Sequence, residues 1–315
     1  MVLSPFPILR DDDVLALANM SEVIAVIEKC LRAKQAGRLI APPRHSISFG
    51  SSGSLVFTIG GISDMGSGGV AGFRAYETFT GAGIQRAQFV AAWDTVSGNF
   101  LGVVIGDMLG ALRTGAIGGV AVKHLSRVDA SICAVIGSGR QAETQLLAAA
   151  AVRRLALVRV YSRNPAKRDA FVRRVAAKVN LRVEPASEAR EAVKDADIVL
   201  CATDSATPVI DTGWLSPGAH VNTVGPKLSS RHEMPLEIGS LAALIATDAP
   251  EQMRSLSEPF FLEKTPGWND VRDLANIVGG GQYGREDRDI SLFCSVGLAG
   301  TEVVVAEHLL RRAAT

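Results

Sequence analysis

The sequence is poor in aromatic side chains, 5% of 315 residues, and those few are not interleaved with basic clusters. Nucleic acids are held by that interleaving of stacking platforms and cations, so its lack argues against such a partner. Neither sign of charge is in excess: 33 Lys and Arg against 32 Asp and Glu leave a formal net charge of +1. No global field then draws the chain to nucleic acid or to an anionic membrane. Cysteine is scarce. Its four residues, Cys30, Cys133, Cys201 and Cys294, lie far apart without C-x-x-C spacing, and two of them fall in apolar strand-like runs. They read as reduced, buried thiols of an intracellular protein. The five histidines show no H-x-H or H-x-x-x-H spacing, so no metal is expected. No uninterrupted apolar run can cross a bilayer, and MVLSPFPILRDDD lacks the basic start and apolar stretch of a secretory leader. The expectation is a soluble, cytoplasmic protein whose partners are small molecules and other copies of itself.

Hydrophobic residues, by contrast, make up 47% of the chain, enough for two domains with a core each. The most informative stretch is SICAVIGSGRQAETQLLAAAAV, Ser131 to Val152. A short apolar run meets Gly137, Ser138 and Gly139, and Arg140 opens an Ala- and Leu-rich segment of helical period. The pattern is G-x-G-x-x-A. Gly137 permits the tight turn, Gly139 lets backbone approach a pyrophosphate, and Ala142 allows helix to pack closely on strand. Unpaired N–H groups at the helix start then face the anion.

Before this stretch, SEVIAVIEKCLRAKQAG predicts an amphipathic helix with Ser21 as N-cap and Gly37 as its stop. PPRHSISF, SLVFTIGG, GVAGFRAYETF, IQRAQFVAAWD and FLGVVIGDM predict a run of strands, hence a β-rich first domain. ALRTGAIGGVAVKHLS predicts a closely packed helix. After Val152 the signals alternate: strand LALVRVY, a helix capped by Asn164 and Pro165, strand LRVEP, a helix with Ser187 as N-cap, then DIVLCAT, HVNTVG and ALIATD. Continuous apolar strands alternating with helices predict a doubly wound, Rossmann-type parallel sheet covered on both faces, with ligands at the strands' C-terminal ends. The fold class expected is α/β, a dinucleotide domain plus a β-rich α+β domain, joined near Gly118.

At the end of the second strand an acidic residue would bind the ribose 2′-OH of NAD. This chain has Ser162, Arg163 and Asn164 there, with Lys167 and Arg168 one turn on, and no carboxylate. A hydroxyl beside a guanidinium fork suits a 2′-phosphate. NADP(H) is therefore preferred as cofactor, with NAD(H) the other possibility.

PPR at Pro42 to Arg44, ALRTGA at Ala111 to Ala116, VIGSGRQA at Val135 to Ala142, CATDSATPVI at Cys201 to Ile210, HVNTVG at His220 to Gly225 and FCSVGLAGTE at Phe293 to Glu302 together resemble the ornithine cyclodeaminase and mu-crystallin family. The resemblance spans most of the chain in order. It implies residues 1–118 as a substrate-binding and dimerisation domain completed by 293–315, residues 119–292 as the Rossmann domain, and a homodimer paired through the β-rich part. It also implies hydride transfer at an α-amino or α-imino carbon. The cofactor set it implies is Thr114, Gly137, Ser138, Gly139, Arg140, Gln141, Ser162, Arg163, Asn164, Ala202, Thr203, Ser205, Val224, Gly225 and Ser295.

The family holds the substrate carboxylate with an Arg after the proline pair, a Lys in a following strand and the Arg of an RT pair, which fall on Arg44, Arg74 and Arg113. Arg in place of Lys at position 74 suits clamping an anion better than exchanging protons. In the cyclodeaminases an Asp follows the fifth strand's VG, and by count from Gly225 that position is Lys227. Reversing a charge beside the reacting centre repels a diamine side chain, at a cost of about 1–4 kcal/mol depending on the local dielectric. Lys227 is then expected to serve as an acid or charge partner favouring a neutral or acidic side chain. The function expected is an NADP-dependent reductase or dehydrogenase of a small α-imino or α-amino acid. The alternatives are an ornithine cyclodeaminase forming proline and a non-catalytic NADPH-binding protein like mu-crystallin.

Overall fold

A computed structural model describes residues 6–63, 68–80, 88–256, 258–281 and 283–314. The opening residues 1–5 and the first part of the expected strand IQRAQFVAAWD, up to Ala87, lie outside them. The chain divides into two compact units, 1–113 with 298–315, and 114–297. The first division falls within a helix, between Arg113 and Thr114, where Gly118 was expected, and the second follows Gly297, where 293 was expected.

The first unit carries β1 (Ile8–Leu9), α1 (Asp11–Leu17), α2 (Met20–Gln35), β2 (Leu39–Ile40), β3 (His45–Ser48), β4 (Ser54–Ile62), β5 (Val70–Glu77), β6 (Phe89–Asp94) and β7 (Phe100–Ile105). They form one sheet in the order β1-β7-β6-β5-β4-β2, with β3 also pairing β4. Asn19, not Ser21, caps α2: its side chain accepts from the N–H groups of Ser21 and Glu22, which places Ser21 inside the first turn. A row of small residues crosses four strands, Gly60 opposite Gly72, Gly72 opposite Ala92, and Ala92 opposite Gly102. The reason is the last helix, Thr301–Ala313, which lies on this face. A Cβ on Gly72 would stand 2.9 Å from Val303 Cγ1, and one on Gly102 would stand 2.9 Å from Leu310 Cδ2. The opposite face bears Ile59, Phe73, Phe89 and Trp93, with Ile59 59% and Phe89 40% exposed. Phe73 packs edge-on to Phe89 and stacks on Trp93, so the face is an ordered apolar surface in contact with solvent.

Helix α3 (Met108–Leu125) leads into the second unit: β8 (Ile132–Ile136), α4 (Arg140–Val152), β9 (Leu157–Tyr161), α5 (Pro165–Ala176), β10 (Arg182–Pro185), α6 (Ala189–Val193), β11 (Ile198–Cys201), β12 (His220–Thr223), the hairpin β13 (Lys227–Leu228) and β14 (Arg231–His232), α7 (Ile238–Leu241), β15 (Leu244–Thr247), α8 (Pro250–Arg254), β16 (Arg272–Asp273), α9 (Leu274–Val278) and β17 (Ser291–Cys294). Eight strands pair in the order β10-β9-β8-β11-β12-β17-β15-β16, all in parallel. Alternate residues feed two cores. Cys133 and Val135 face Leu146 of α4 and Phe171 of α5, while Ala134 and Ile136 join Ala192, Met234 and Phe260 on the other side. This is the doubly wound α/β sheet that the apolar runs predicted.

Asn164 caps α5 by accepting from Lys167 N–H at 3.0 Å, with Pro165 at the first helical position. Ser187 does not cap α6. Its hydroxyl and its N–H both donate to Glu191 at 2.7 Å, and Glu188 takes the cap position. All four cysteines are buried and unpaired. Burial pushes the Cys30 and Cys294 thiols up to about 12, so neither is a thiolate nucleophile.

A chain of buried polar groups runs between α3, α4 and the sheet. Gln145 donates to Thr114 O at 3.0 Å, Asn222 donates to Gly118 O and to Gln145, and His220 meets Asn222 at 2.7 Å and Ser291 Oγ at 2.9 Å. Burial lowers the His220 imidazole to about 3, which keeps it neutral.

Candidate functional site

At the C-terminal ends of the central strands the chain direction splits: β9 and β10 lie on one side of β8, β11 and β12 on the other. Such a switch point leaves a crevice. Here it is a cavity of about 620 Å³ lined by residues from the ends of β8, β9, β11 and β12. Gly137 makes the turn after β8 at φ 123°, and a Cβ there would stand 2.3 Å from Ala202 O. A Cβ on Gly139 would meet nothing within 4 Å. That open space lies at the N-cap of α4, where no side chain caps the helix. Exposed N–H groups beside open space fit a pyrophosphate. Ala142, fully buried, brings α4 against the sheet.

Of the cofactor residues expected, Gly137, Ser138, Gly139, Arg140, Gln141, Ser162, Arg163, Asn164, Ala202, Thr203, Ser205, Val224 and Gly225 line this one cavity. Thr114 and Ser295 stay outside its lining. Thr114 is buried in α3, and Ser295 extends a strand pairing through Thr223 O. Lys167, noted one turn past the second strand, joins the wall while Arg168 does not, and Tyr161, Asp204 and Val209 join it without having been expected as cofactor ligands. Ser138 and Ser162 are joined at 3.0 Å. Arg163 lies 3.6 Å from Asp204, both largely exposed, so the pair is easily parted by an incoming anion.

Lys227 is 7% exposed and does not line the cavity. Its ammonium donates to Gly225 O at 2.6 Å. Burial lowers its pKa, while Glu233, Cys294 and Asp248 oppose that shift. Glu233, fully buried, accepts from Thr203 N and Oγ1, Thr223 Oγ1, Val224 N and Gly225 N.

The arginines meet in the first unit. Arg74, on β5, and Arg113, on α3, both reach the Glu302 carboxylate, at 2.8 Å and 2.6 Å. Arg74 also donates to Gln88 from Nε at 2.9 Å and from Nη2, and it lies over the Tyr76 ring at 4.3 Å. Gln88 in turn donates to Asp107. Arg44 is exposed, with its Nη1 3.5 Å from Tyr76 Oη. Burial of Glu302 would raise its pKa, but Arg113, Arg74 and Arg44 together hold it below the usual carboxylate range. Three guanidiniums around one carboxylate leave positive charge over, which suits a further anion.

The motif FCSVGLAGTE does not by itself assign a role to Glu302. A signal was available: it is a lone acid in TEVVVA, a helical segment otherwise without charge. Gln88 and Asp107 carried no such signal, since turn formation explained Asp107 equally well. Among the described residues no group of three His, Cys, Asp or Glu side chains could hold a metal ion, and no helix is long and apolar enough to cross a membrane.

The model of the ornithine cyclodeaminase/mu-crystallin family matches residues 7–315. The chain belongs to the ornithine cyclodeaminase/mu-crystallin family. Within it, the Delta(1)-pyrroline-2-carboxylate reductase of Bacillus cereus is 31% identical over 304 residues, 94% of this chain and 93% of that one. A structure of the Thermococcus litoralis Delta(1)-pyrroline-2-carboxylate reductase in complex with NADH and L-proline is similar with a TM-score of 0.88 at 29% identity, covering 98% of this chain and 97% of the other. An archaeal alanine dehydrogenase dimer with bound NAD follows at 0.85 and 26%, covering 98% and 96%.

Proposed function

We propose that this member of the ornithine cyclodeaminase/mu-crystallin family reduces a small α-imino acid, a cyclic one such as pyrroline-2-carboxylate being the leading candidate, with NADPH as preferred donor. The chain is an NAD(P)-dependent enzyme of its family. The observation that carries the substrate reading is the convergence of Arg74 and Arg113 on Glu302 with Arg44 in electrostatic reach. When bound, the dinucleotide would supply hydride to the carbon of the imine in its protonated, iminium form, whose nitrogen already carries the proton that the amine product needs. Arg44, Arg74 and Arg113 hold the substrate carboxylate. Guanidiniums keep their protons at any working pH, so they orient and neutralise without exchanging protons.

The turn of Gly137 to Gly139 and the start of α4 take the pyrophosphate, and Ser162, Arg163, Asn164 and Lys167 take the adenosine ribose with its 2′-phosphate. No acidic residue stands at the end of β9, which supports NADPH. The Thermococcus litoralis and archaeal alanine dehydrogenase structures hold NADH and NAD, so the preference is a distinct expectation for this chain. Its apolar sheet face, Ile59, Phe73, Phe89 and Trp93, fits a second copy, giving a cytoplasmic homodimer.

Steady-state assays with cyclic and linear imino acids and each dinucleotide test the reading. Oxidation of NADPH with pyrroline-2-carboxylate, at a higher kcat/KM than with NADH, is the expected result. Dinucleotide binding without turnover on any substrate would make the protein a carrier, and conversion of ornithine to proline would make it a cyclodeaminase.

A further inference from the structure

Gly225 is fastened at both of its flanking peptide groups by buried charges. Its N–H donates to Glu233 Oε1 at 2.6 Å, and its carbonyl accepts from Lys227 Nζ at 2.6 Å. The carboxylate meets the N–H of the Val224–Gly225 peptide and the ammonium the C=O of the Gly225–Pro226 peptide, each at the favourable end of its own peptide dipole, and bonds to ionised partners are the stronger kind. The same carboxylate oxygen takes Thr223 Oγ1 at 2.7 Å and Val224 N at 3.1 Å, while the other takes Thr203 N at 2.8 Å and Thr203 Oγ1 at 2.7 Å. One side chain thereby ties the end of β11 to the end of β12. The hairpin β13–β14 makes this possible by pairing Lys227 with His232 and returning the chain beneath the strand ends. Lys227 O accepts from Phe261 N at 2.9 Å, which holds the hairpin down. Nothing larger than glycine fits at 225: a Cβ would stand 2.4 Å from Glu233 Oε2 and from Thr203 O.

Val224 and Gly225 line the cavity on the β12 side, across β8 from the adenosine end at Ser162 to Asn164. Each half of a doubly wound sheet serves one mononucleotide, so this wall serves the nicotinamide half. We infer that Lys227 and Glu233 act as a two-sided clamp on Gly225 that shapes the nicotinamide wall, and that Lys227 is a positioning residue, not a substrate contact. An ionised Asp, which the resemblance places at this position in the cyclodeaminases, has no proton to give Gly225 O. The inference rests on the dinucleotide reading of the cavity.

Calorimetric titrations of the full-length wild type and Lys227→Met test it. The ligands are the dinucleotide that the wild type binds more tightly, NADH or NADPH, and the matching fragment without nicotinamide, ADP-ribose or its 2′-phosphate. The expected result is a loss of roughly tenfold or more for the dinucleotide, about twofold or less for the fragment, and an unchanged KM for the imino acid at saturating dinucleotide. Unchanged dinucleotide affinity overturns the clamp, as does a parallel loss for both ligands or a rise in imino-acid KM alone. Should the variant fail to fold, amide exchange in the unliganded wild type decides: a Gly225 amide protected like those of β12 supports the clamp, and exchange as fast as an exposed loop overturns it. A wild type that binds neither dinucleotide removes the cavity reading itself, whereas one that binds while Lys227→Met is indifferent removes only the clamp.

Discussion

The two units build their sites by opposite means. The parallel sheet of the second unit places its cavity at strand ends, and its wall is shaped by backbone turns: Gly137, Gly139 and the start of α4 are consecutive in sequence and need only local geometry. The antiparallel sheet of the first unit assembles its cluster from charged side chains distant in the chain, Arg74 and Glu302 being 228 positions apart. A turn is set by its own residues, but a buried ion pair exists only once the surrounding fold has removed water from both partners. Defects should therefore be local and steric in the second unit, and electrostatic and cooperative in the first.

The sharpest way to break the contrast is Gly137→Val. Its Cβ would collide with Ala202 O in a backbone conformation that side chains rarely adopt, so dinucleotide affinity should fall by about a hundredfold or more, read by titration. Glu302→Gln probes the other unit. It leaves the buried Arg113 and the half-buried Arg74 without their carboxylate and should cost about 3–5 kcal/mol in denaturant unfolding. If it costs nothing, the cluster is not a buried electrostatic unit.

A smaller effect is expected at Arg163→Ser. The kcat/KM preference for NADPH over NADH should drop about tenfold or more, with stability unchanged because the pair with Asp204 is exposed. A pH effect is expected in the second unit. His220 has a folded pKa lowered from 6.5 to about 3 by burial, so between these values the unfolded chain takes a proton that the folded chain refuses. Stability is full above pH 6.5 and declines toward pH 3 at about 1.4 kcal/mol per pH unit from this group. Denaturation at pH 7 and pH 5 should show the slope, and His220→Gln should flatten it.

Much of the second unit was legible because each of its signals is local. The apolar runs became β8, β9, β11, β12 and β15, and Asn164 with Pro165 marked the start of α5. Caps misread by a residue or two, Ser21 and Ser187, show where local signals fail. A serine hydroxyl can donate as well as accept, and Glu191 claims that of Ser187. In the first unit the strands were legible from their alternation, but the row Gly60, Gly72, Ala92 and Gly102 looked like scattered small residues until the register joined them.

By itself the sequence determined the alternation of strands and helices from Ser131 to Thr223, the glycine turn at Gly137 to Gly139 and the family to which the chain belongs, since each depends on neighbouring residues or on motifs kept in order. Tertiary structure alone decided where the charges point. It joined Arg74 and Arg113 through Glu302, and it turned Lys227 inward onto Gly225 O. A charged residue has the same identity on a solvated loop and in a buried cluster, and only the fold determines which partners replace its water.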